Sequence, residues 1–361
     1  MSAATGVAPK QRVGAVTSAP VLSRRLRGLM LMGTVSLFAT MLVAVYLMPL
    51  AYAGALSVRG ASVEAGQPLW PSDPAQFTYG GQAYDLYNVP INGSVRRLAL
   101  FKAGRESSTF IDPQDPTQPI DWQGRWRTLE RVWNFSPHWS NFGEAWKITN
   151  FGRLFFNTVA LAVIGTIGAV SSAVVVAYGF SRFRIPGKTI LFTILVGTII
   201  LPQQVTIVPT YALFTSIGWV GTWLPLLVPH FFGNAYNVFL LRQFFMSIPR
   251  DMDEAAMIDG AGPFRTLTSV IVPQAWPAIT AVCLFHFFFA WNDFLAPLVY
   301  LVGHEELWPI SVGMSYFAGQ YTQLPHLIQA TALMALALPV TIFVLAQRVF
   351  VQGVVVTGVD K

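Results

Sequence analysis

Apolar residues run along this chain in long blocks rather than in alternation. Windows free of Asp, Glu, Lys and Arg cover 28–58, 154–181, 189–241 and 266–292, and a last apolar block covers 328–350 with Arg348 near its end. A helix needs about 20 apolar residues to cross the hydrocarbon layer, so each shorter window predicts one span. The 189–241 window is too long for one crossing. Its "SIGWVG" stretch, Ser216 to Gly221, predicts a turn that divides it into two helices. The fifth span is expected to run on from 266–292 to about Leu301. Six spans result, and the pattern predicts an all-α polytopic membrane protein.

One segment departs from this. Residues 59–150 are rich in Trp, Tyr, Gly and Pro, and "SVRRLALFKAGRESSTFI", Ser94 to Ile111, reads as two short strands around a glycine turn. A small β-rich insertion between the first and second spans is therefore expected, as a cap over helix ends or as a docking surface. The organisation becomes a disordered tail at 1–27, a first helix at 28–56, an insertion at 57–150, a five-helix core at 151–350 containing a polar loop at 249–273, and a tail at 351–361. Arg24 to Arg27 and the later "AYA" resemble parts of a signal peptide. However, the apolar block exceeds the roughly 7–15 residues of a signal core, so the first span is expected to stay.

Composition agrees with a lipid solvent. Of 361 residues 53% are hydrophobic and 11% charged, against about 25% charged in soluble domains. The net charge of +6 comes from scattered Lys and Arg, which argues against nucleic acid and for membrane topology. Arg24, Arg25 and Arg27 precede span one. Arg182, Arg184 and Lys188 follow span two, Arg242, Arg250 and Arg265 follow span four, and Arg348 follows span six. The short loops after spans three and five carry neither Lys nor Arg, which predicts both termini and the 249–273 loop on the cytoplasmic side and 57–150 outside. Cys283, the one cysteine, lies in an apolar run and offers no disulfide framework.

The loop holds "MDEAAMIDGAGPF", Met252 to Phe264. Pro249 suits the first turn of a helix, and Asp251, Asp253 and Glu254 complement its positive end. Gly260 suits the left-handed position that terminates it. Pro263 starts a second short helix, which Pro273 is expected to stop. Met252, Ala255, Ala256 and Asp259 share one stripe at i, i+3, i+4, i+7 spacing. That stripe packs either on another protein or on the chain's own bundle, and the residues alone leave both readings open.

"EAAMIDGAGPFRTLTSVIVP", Glu254 to Pro273, resembles the EAA loop of permease subunits in ABC importers. Glu254, Ala255, Ala256, Gly260 and Pro273 match in register, while Val270 and Val272 stand for Ile and Leu. "LPQQVTIVPTY" at 201–211, "WNDFLAPL" at 291–298 and "QRVFVQGVVVTGVDK" at 347–361 are similar, in the same order, to segments of the maltose-permease-like carbohydrate class. The resemblance covers 135–361 and the first span. It implies the type I importer permease fold, in which this elbow sits in a cleft of a cytoplasmic ATPase subunit and ATP-driven closure rocks the membrane helices. On this resemblance Glu254, Ala255, Ala256, Asp259, Gly260 and Pro273 couple the chain to the ATPase. Its implied partners are a second permease, two ATP-binding cassette ATPases, an extracytoplasmic solute-binding protein and a sugar. Importers for polyols or glycerol phosphates share the scaffold, and a non-transporting scaffold or receptor is the alternative from another class.

No engine is visible within the chain. "IPGKT", Ile185 to Thr189, ends like a phosphate loop, but Arg182 occupies the first glycine position and a membrane helix precedes it. The five histidines show no metal spacing and no Gly-x-Ser-x-Gly elbow occurs. The expectation is no enzyme activity and no cofactor. Trp291, Asn292 and Asp293 near the end of span five are candidates for the substrate pathway, because an acid in a span is a functional candidate. They serve equally as an interface anchor. Gly165, Ala169, Ala173 and Ala177 form a small-residue ladder that permits close helix packing.

Overall fold

The computed structural model describes residues 21–61, 66–91, 93–317 and 324–355; of the tail expected over 1–27, residues 1–20 lie outside them and 21–27 are helical, and of the tail expected over 351–361, residues 356–361 lie outside them. Helix α1, Val21–Ser57, carries Pro49 inside it. Up to Tyr52 it forms a unit of its own. Residues 29–52 are exposed on all sides, as befits an apolar helix whose solvent is hydrocarbon.

The second unit begins with the insertion. Strands β1 (Ser72–Pro74), β2 (Gln76–Tyr79), β3 (Gln82–Ile91), β4 (Ser94–Lys102), β5 (Ser107–Ile111), β6 (Pro119–Gln123), β7 (Glu130–Arg131) and β8 (Trp133–Phe135) follow one another. The hairpin expected around a glycine is the β4–β5 pair, with Ala99 opposite Ile111 and Leu100 opposite Phe110. The main sheet runs β2-β3-β4-β5-β6, β7 adds to β3, and β1 pairs separately with β8. Alternation puts Tyr87, Val89, Leu98 and Phe110 on one buried face. Trp126 meets Tyr87 edge-on at 5.9 Å and Trp122 meets Phe110 at 6.2 Å, closing that face.

The remainder is helical: α2 (Ser140–Ile148), α3 (Phe151–Arg182), α4 (Lys188–Gly197), α5 (Gln203–Ser216), α6 (Leu224–Leu227), α7 (Ala235–Ser247), α8 (Asp251–Ile258), α9 (Pro263–Thr266), α10 (Val272–Gln274), α11 (Trp276–Trp291), α12 (Leu295–Tyr300), α13 (Ile310–Gly313) and α14 (Pro325–Val355). Helix α3 is the axis of the bundle. Its ladder Gly165, Ala169, Ala173 and Ala177 is buried, and one apolar cluster joins it to Val238, Leu241 and Phe245 of α7 and to Ile279 and Val282 of α11. Close approach suits such small residues, since lipid gives helices no hydrophobic reason to associate.

Among the described residues four helical stretches are long and apolar enough to cross a membrane, 28–57, 151–182, 224–247 and 325–347. The other spans depart from the expected continuous helices. Lys188–Ile200 and Gln203–Ser216 meet at 101°, because Pro202 forces Leu201 into extended backbone at ψ 115°. The 224–247 stretch passes through a 3-10 turn at Val228–Phe231 and restarts at α7. There the Asn234 side chain accepts the amide of Asn237, a standard N-cap. The expected continuation to Leu301 is also interrupted: α11 stops at Trp291 and α12 begins at Leu295. The turn in "SIGWVG" is present, with Gly218 at φ 72° and Gly221 at φ 83°.

Candidate functional site

The polar loop folds into a short helix whose start differs from expectation. Helix α8 begins at Asp251 with Arg250 as its N-cap, so Pro249 lies before it. The acidic first turn, Asp251, Asp253 and Glu254, faces the positive end of the dipole. At the other end Asp259 is the C-cap and Gly260 takes φ 78°. Ala261 N–H donates to Ala256 O at 2.9 Å and Gly260 N–H to Met257 O at 3.0 Å. This pair of bonds is the Schellman arrangement that satisfies the last carbonyls.

Pro273 does not stop the second short helix. Helix α9 passes into a five-residue π turn, Leu267–Ile271, and then into α10 with Pro273 in its first turn. A proline tolerates that place because its missing N–H has no partner there. The bend comes two residues later, where the 263–274 and 276–291 stretches meet at 82° with Pro277 opening α11.

The chain leaves the outward stripe of α8 uncovered. Met252, Glu254, Ala255 and Asp259 are exposed and Ala256 is half-buried. Beside them Ile258 is 87% and Phe264 77% exposed, with Met257 at 59%. An apolar group of this kind rimmed by Glu254 and Asp259 is a surface that binds protein or membrane. One acid of the elbow is different: Asp253 is buried and its Oδ2 lies 2.7 Å from Arg182 Nε, at the end of α3. A cleft of about 240 Å³ beside this pair is lined by Tyr178, Phe183, Arg250, Glu254, Met257 and Pro263.

Trp291, Asn292 and Asp293 do not share a surface. Trp291 is buried against Phe155 and Phe287, with ring centroids at 6.0 and 5.7 Å. Asn292 is exposed and its Nδ2 donates back to Phe288 O at 2.8 Å. Asp293 alone lines a cavity, of about 20 Å³, together with Thr158, Leu161, His230, Ala290 and Pro309. That volume suits about one water molecule.

Behind the cavity runs a polar string that joins Asn237, His286 and His230, residues with no metal spacing in the sequence. Asn237 Nδ2 lies 3.1 Å from His286 Nδ1, and His286 Nε2 lies 3.2 Å from His230 Nδ1. With the Asn237 amide donating, His286 carries its proton on Nε2 and passes a hydrogen bond to His230, whose own proton is then on Nε2. Ser172 Oγ donates to His230 O at 3.2 Å. A side chain at Gly165 would meet His230 Cδ2 at 3.1 Å, so the ladder glycine makes room for the ring. Among the described residues no group of three His, Cys, Asp or Glu side chains is placed to hold a metal.

A profile of the family described as "Binding-protein-dependent transport system inner membrane component" matches residues 169–356. The chain belongs to that family. It is 32% identical over 275 residues to an osmoprotective compounds uptake permease of Synechocystis, with 76% of this permease and 92% of that one aligned. A permease of an sn-glycerol-3-phosphate transport system in Rhizobium meliloti is 34% identical over 208 residues, covering 57% and 73% of the two chains. A permease of a diacetylchitobiose uptake system in Streptomyces coelicolor is 32% identical over 193 residues, covering 53% and 64%. The fold matches a bacterial ABC transporter for import of the acidic polysaccharide alginate, with TM-score 0.63, 19% identity, and coverage of 92% of this permease and 99% of that chain.

The permease is thus a multi-pass inner-membrane translocation subunit of an ABC importer, and hydrolysis of ATP belongs to a separate chain. Permeases of this family operate with a second permease, ATPases and a binding protein. The β-rich insertion accompanies this membrane fold.

Proposed function

We propose that the permease forms half of the translocation pathway for a sugar or oligosaccharide and that α8 is the handle by which a cytoplasmic ATPase moves it. The observation that carries this reading is the uncovered stripe of α8, where the residues matching the EAA pattern coincide with exposed Met257, Ile258 and Phe264. Glu254 supplies the polar contact to the ATPase, Ala255 and Ala256 permit close approach, and the left-handed Gly260 turns the chain back. Asp259 borders the same stripe at the end of α8, and Pro273, in α10, closes the segment that matches the pattern. Each bent helix pair counts as one span, which gives six, with both termini and the 249–273 loop cytoplasmic. The segments are then a tail at 1–27, a helix at 28–56, an extracytoplasmic insertion at 57–150, a core at 151–350 and a tail at 351–361. The complete assembly holds one further permease, two ATPases and an external solute-binding protein.

The relative named for diacetylchitobiose supports a sugar. The relatives named for sn-glycerol 3-phosphate support a polyol phosphate. Asp293 on the cavity suits a hydroxyl-bearing solute, since a carboxyl group there can exchange hydrogen bonds with sugar hydroxyls. Of the three residues at the end of span five, Asp293 is our candidate for solute contact, supported by its position on the cavity.

The test is uptake by the reconstituted importer of labelled diacetylchitobiose, an α-glucoside and sn-glycerol 3-phosphate, alongside ATP hydrolysis. Glu254→Arg and Gly260→Val are expected to insert normally yet hydrolyse ATP without uptake. Normal uptake by both variants would sink the assignment of the elbow, and preference for the phosphate would sink the sugar reading.

A further inference from the structure

Asp253 is the one acid of the elbow that the chain buries, while Asp251, Glu254 and Asp259 are exposed. Its side chain is 9% exposed and that of Arg182 is 8%. The pairs Arg96–Asp112, Arg131–Asp85, His138–Asp73 and His304–Glu306 are all more open. The contact is an ion pair rather than an aligned hydrogen bond. Nε sits 2.7 Å from Oδ2, yet neither Nε nor Asp253 Oδ1 has a hydrogen-bond partner. Arg182 spends its terminal Nη2 on Ile248 O at 3.0 Å, and Ile248 is the C-cap of α7. One guanidinium therefore gathers the end of α3, the end of α7 and the first turn of α8.

The cleft of about 240 Å³ next to the pair means that side-chain packing does not fill the space between α8 and the end of α3. The ion pair crosses that gap. With both side chains more than nine-tenths buried, its attraction exceeds that of a surface pair, and removing one partner would leave the other charge unpaired at greater cost than keeping them together. The two residues must then move as one. Helix α3 is a 32-residue rod, about 48 Å long at the usual rise. Near its far end Thr158 and Leu161 line the cavity that holds Asp293 and His230. Thr158 Oγ1 accepts the Ile310 amide there at 2.8 Å. A shift delivered to the first turn of α8 thus has a stiff route to the cavity wall.

We propose that the Arg182–Asp253 pair carries displacement of α8 into α3, making both side chains positioning residues for coupling. This rests on the reading of α8 as the ATPase handle. In the importer reconstituted in proteoliposomes, the quantity to measure is uptake per ATP hydrolysed, using whichever of the three labelled solutes above the unaltered importer accepts. Asp253→Asn and Arg182→Gln are expected to lower this ratio by about tenfold or more, and Asp253→Glu to restore it to within about threefold because the charge returns. A ratio unchanged in Asp253→Asn would overturn the inference. So would uptake and hydrolysis falling together in proportion to the amount of assembled importer, since that is the signature of a fold contact alone. Glu254→Arg, measured in parallel, separates the two failures. If it uncouples while Asp253→Asn does not, only the link is wrong; if neither uncouples, the handle itself is wrong.

Discussion

Asn157 lies buried in the apolar wall of α3, and its Nδ2 donates to Glu306 O at 2.9 Å and Trp308 O at 3.0 Å. One amide thereby satisfies two carbonyls of the segment between α12 and α13, a place where no regular ladder serves them. Asn157→Leu keeps the volume and removes both bonds, leaving part-buried acceptors unpaired. A loss of about 2 kcal/mol is expected, read as a lower melting temperature of the detergent-solubilised protein. An unchanged melt would mean that water takes over both carbonyls. Nothing in the sequence marked this residue, because its partners lie 149 and 151 positions away. Gly260 was legible for the opposite reason. Its role depends on backbone that glycine alone adopts cheaply, next to a helix whose end its neighbours already define. Arg182 was read as a charge that sets topology, and its pairing with Asp253 could not be seen from either residue's surroundings in the chain.

At the scale of elements, the β insertion has a titration signature. Burial foremost, and then the Asp85 carboxylate, raise the Tyr87 phenol above its ordinary value of 10.0. Tyr87 Oη accepts from Arg131 Nη2 at 3.1 Å, and that guanidinium lies over the Tyr87 ring at 5.6 Å. The folded insertion holds the phenol proton more tightly than the unfolded chain does. Its contribution is therefore complete below pH 10.0 and is lost as pH rises through the elevated folded value. The melting temperature followed by tryptophan fluorescence should fall more steeply above about pH 10 in the unaltered protein than in Tyr87→Phe. Equal slopes would refute the assignment. The β4–β5 hairpin was readable because "KAGR" interrupts two alternating stretches. The shortest strands were not, since two- and three-residue pairings such as β1 with β8 carry no period of their own. The membrane helices show the converse. Their existence followed from charge-free length, but the breaks at Leu201, Gly233 and Asn292 did not, because an apolar window looks the same whether its backbone is straight or bent.

For the whole molecule, the scattered Lys and Arg residues make a prediction about sides. In a Cys283→Ala background, a cysteine placed at exposed Gln123 should react with a membrane-impermeant maleimide in intact cells. One placed at exposed Asp259 should react only after permeabilisation. Reaction at Asp259→Cys in intact cells would invert the topology and remove the elbow from the reach of any cytoplasmic ATPase. Helix α3 gives the assembled picture its physical sense. It meets the elbow at Arg182 and the small cavity at Thr158, so one rigid element touches both proposed ends of the coupling route. In this conformation the cavity holds about one water, and a sugar passes only when the helices around it part.

Sequence by itself determined the solvent and the class of this protein. Free energy of transfer into lipid is additive along a helix and needs no knowledge of neighbours, so uncharged length alone predicted a polytopic membrane chain. The elbow was legible on the same terms, since dipole, cap and glycine signals act within a few residues. Tertiary structure alone decided which polar groups face one another: Asp253 with Arg182, His230 with His286, Asn157 with two distant carbonyls. Desolvation sets that choice. A polar side chain inside an apolar bundle must find a partner wherever the fold brings one, and sequence separation places no limit on where that is.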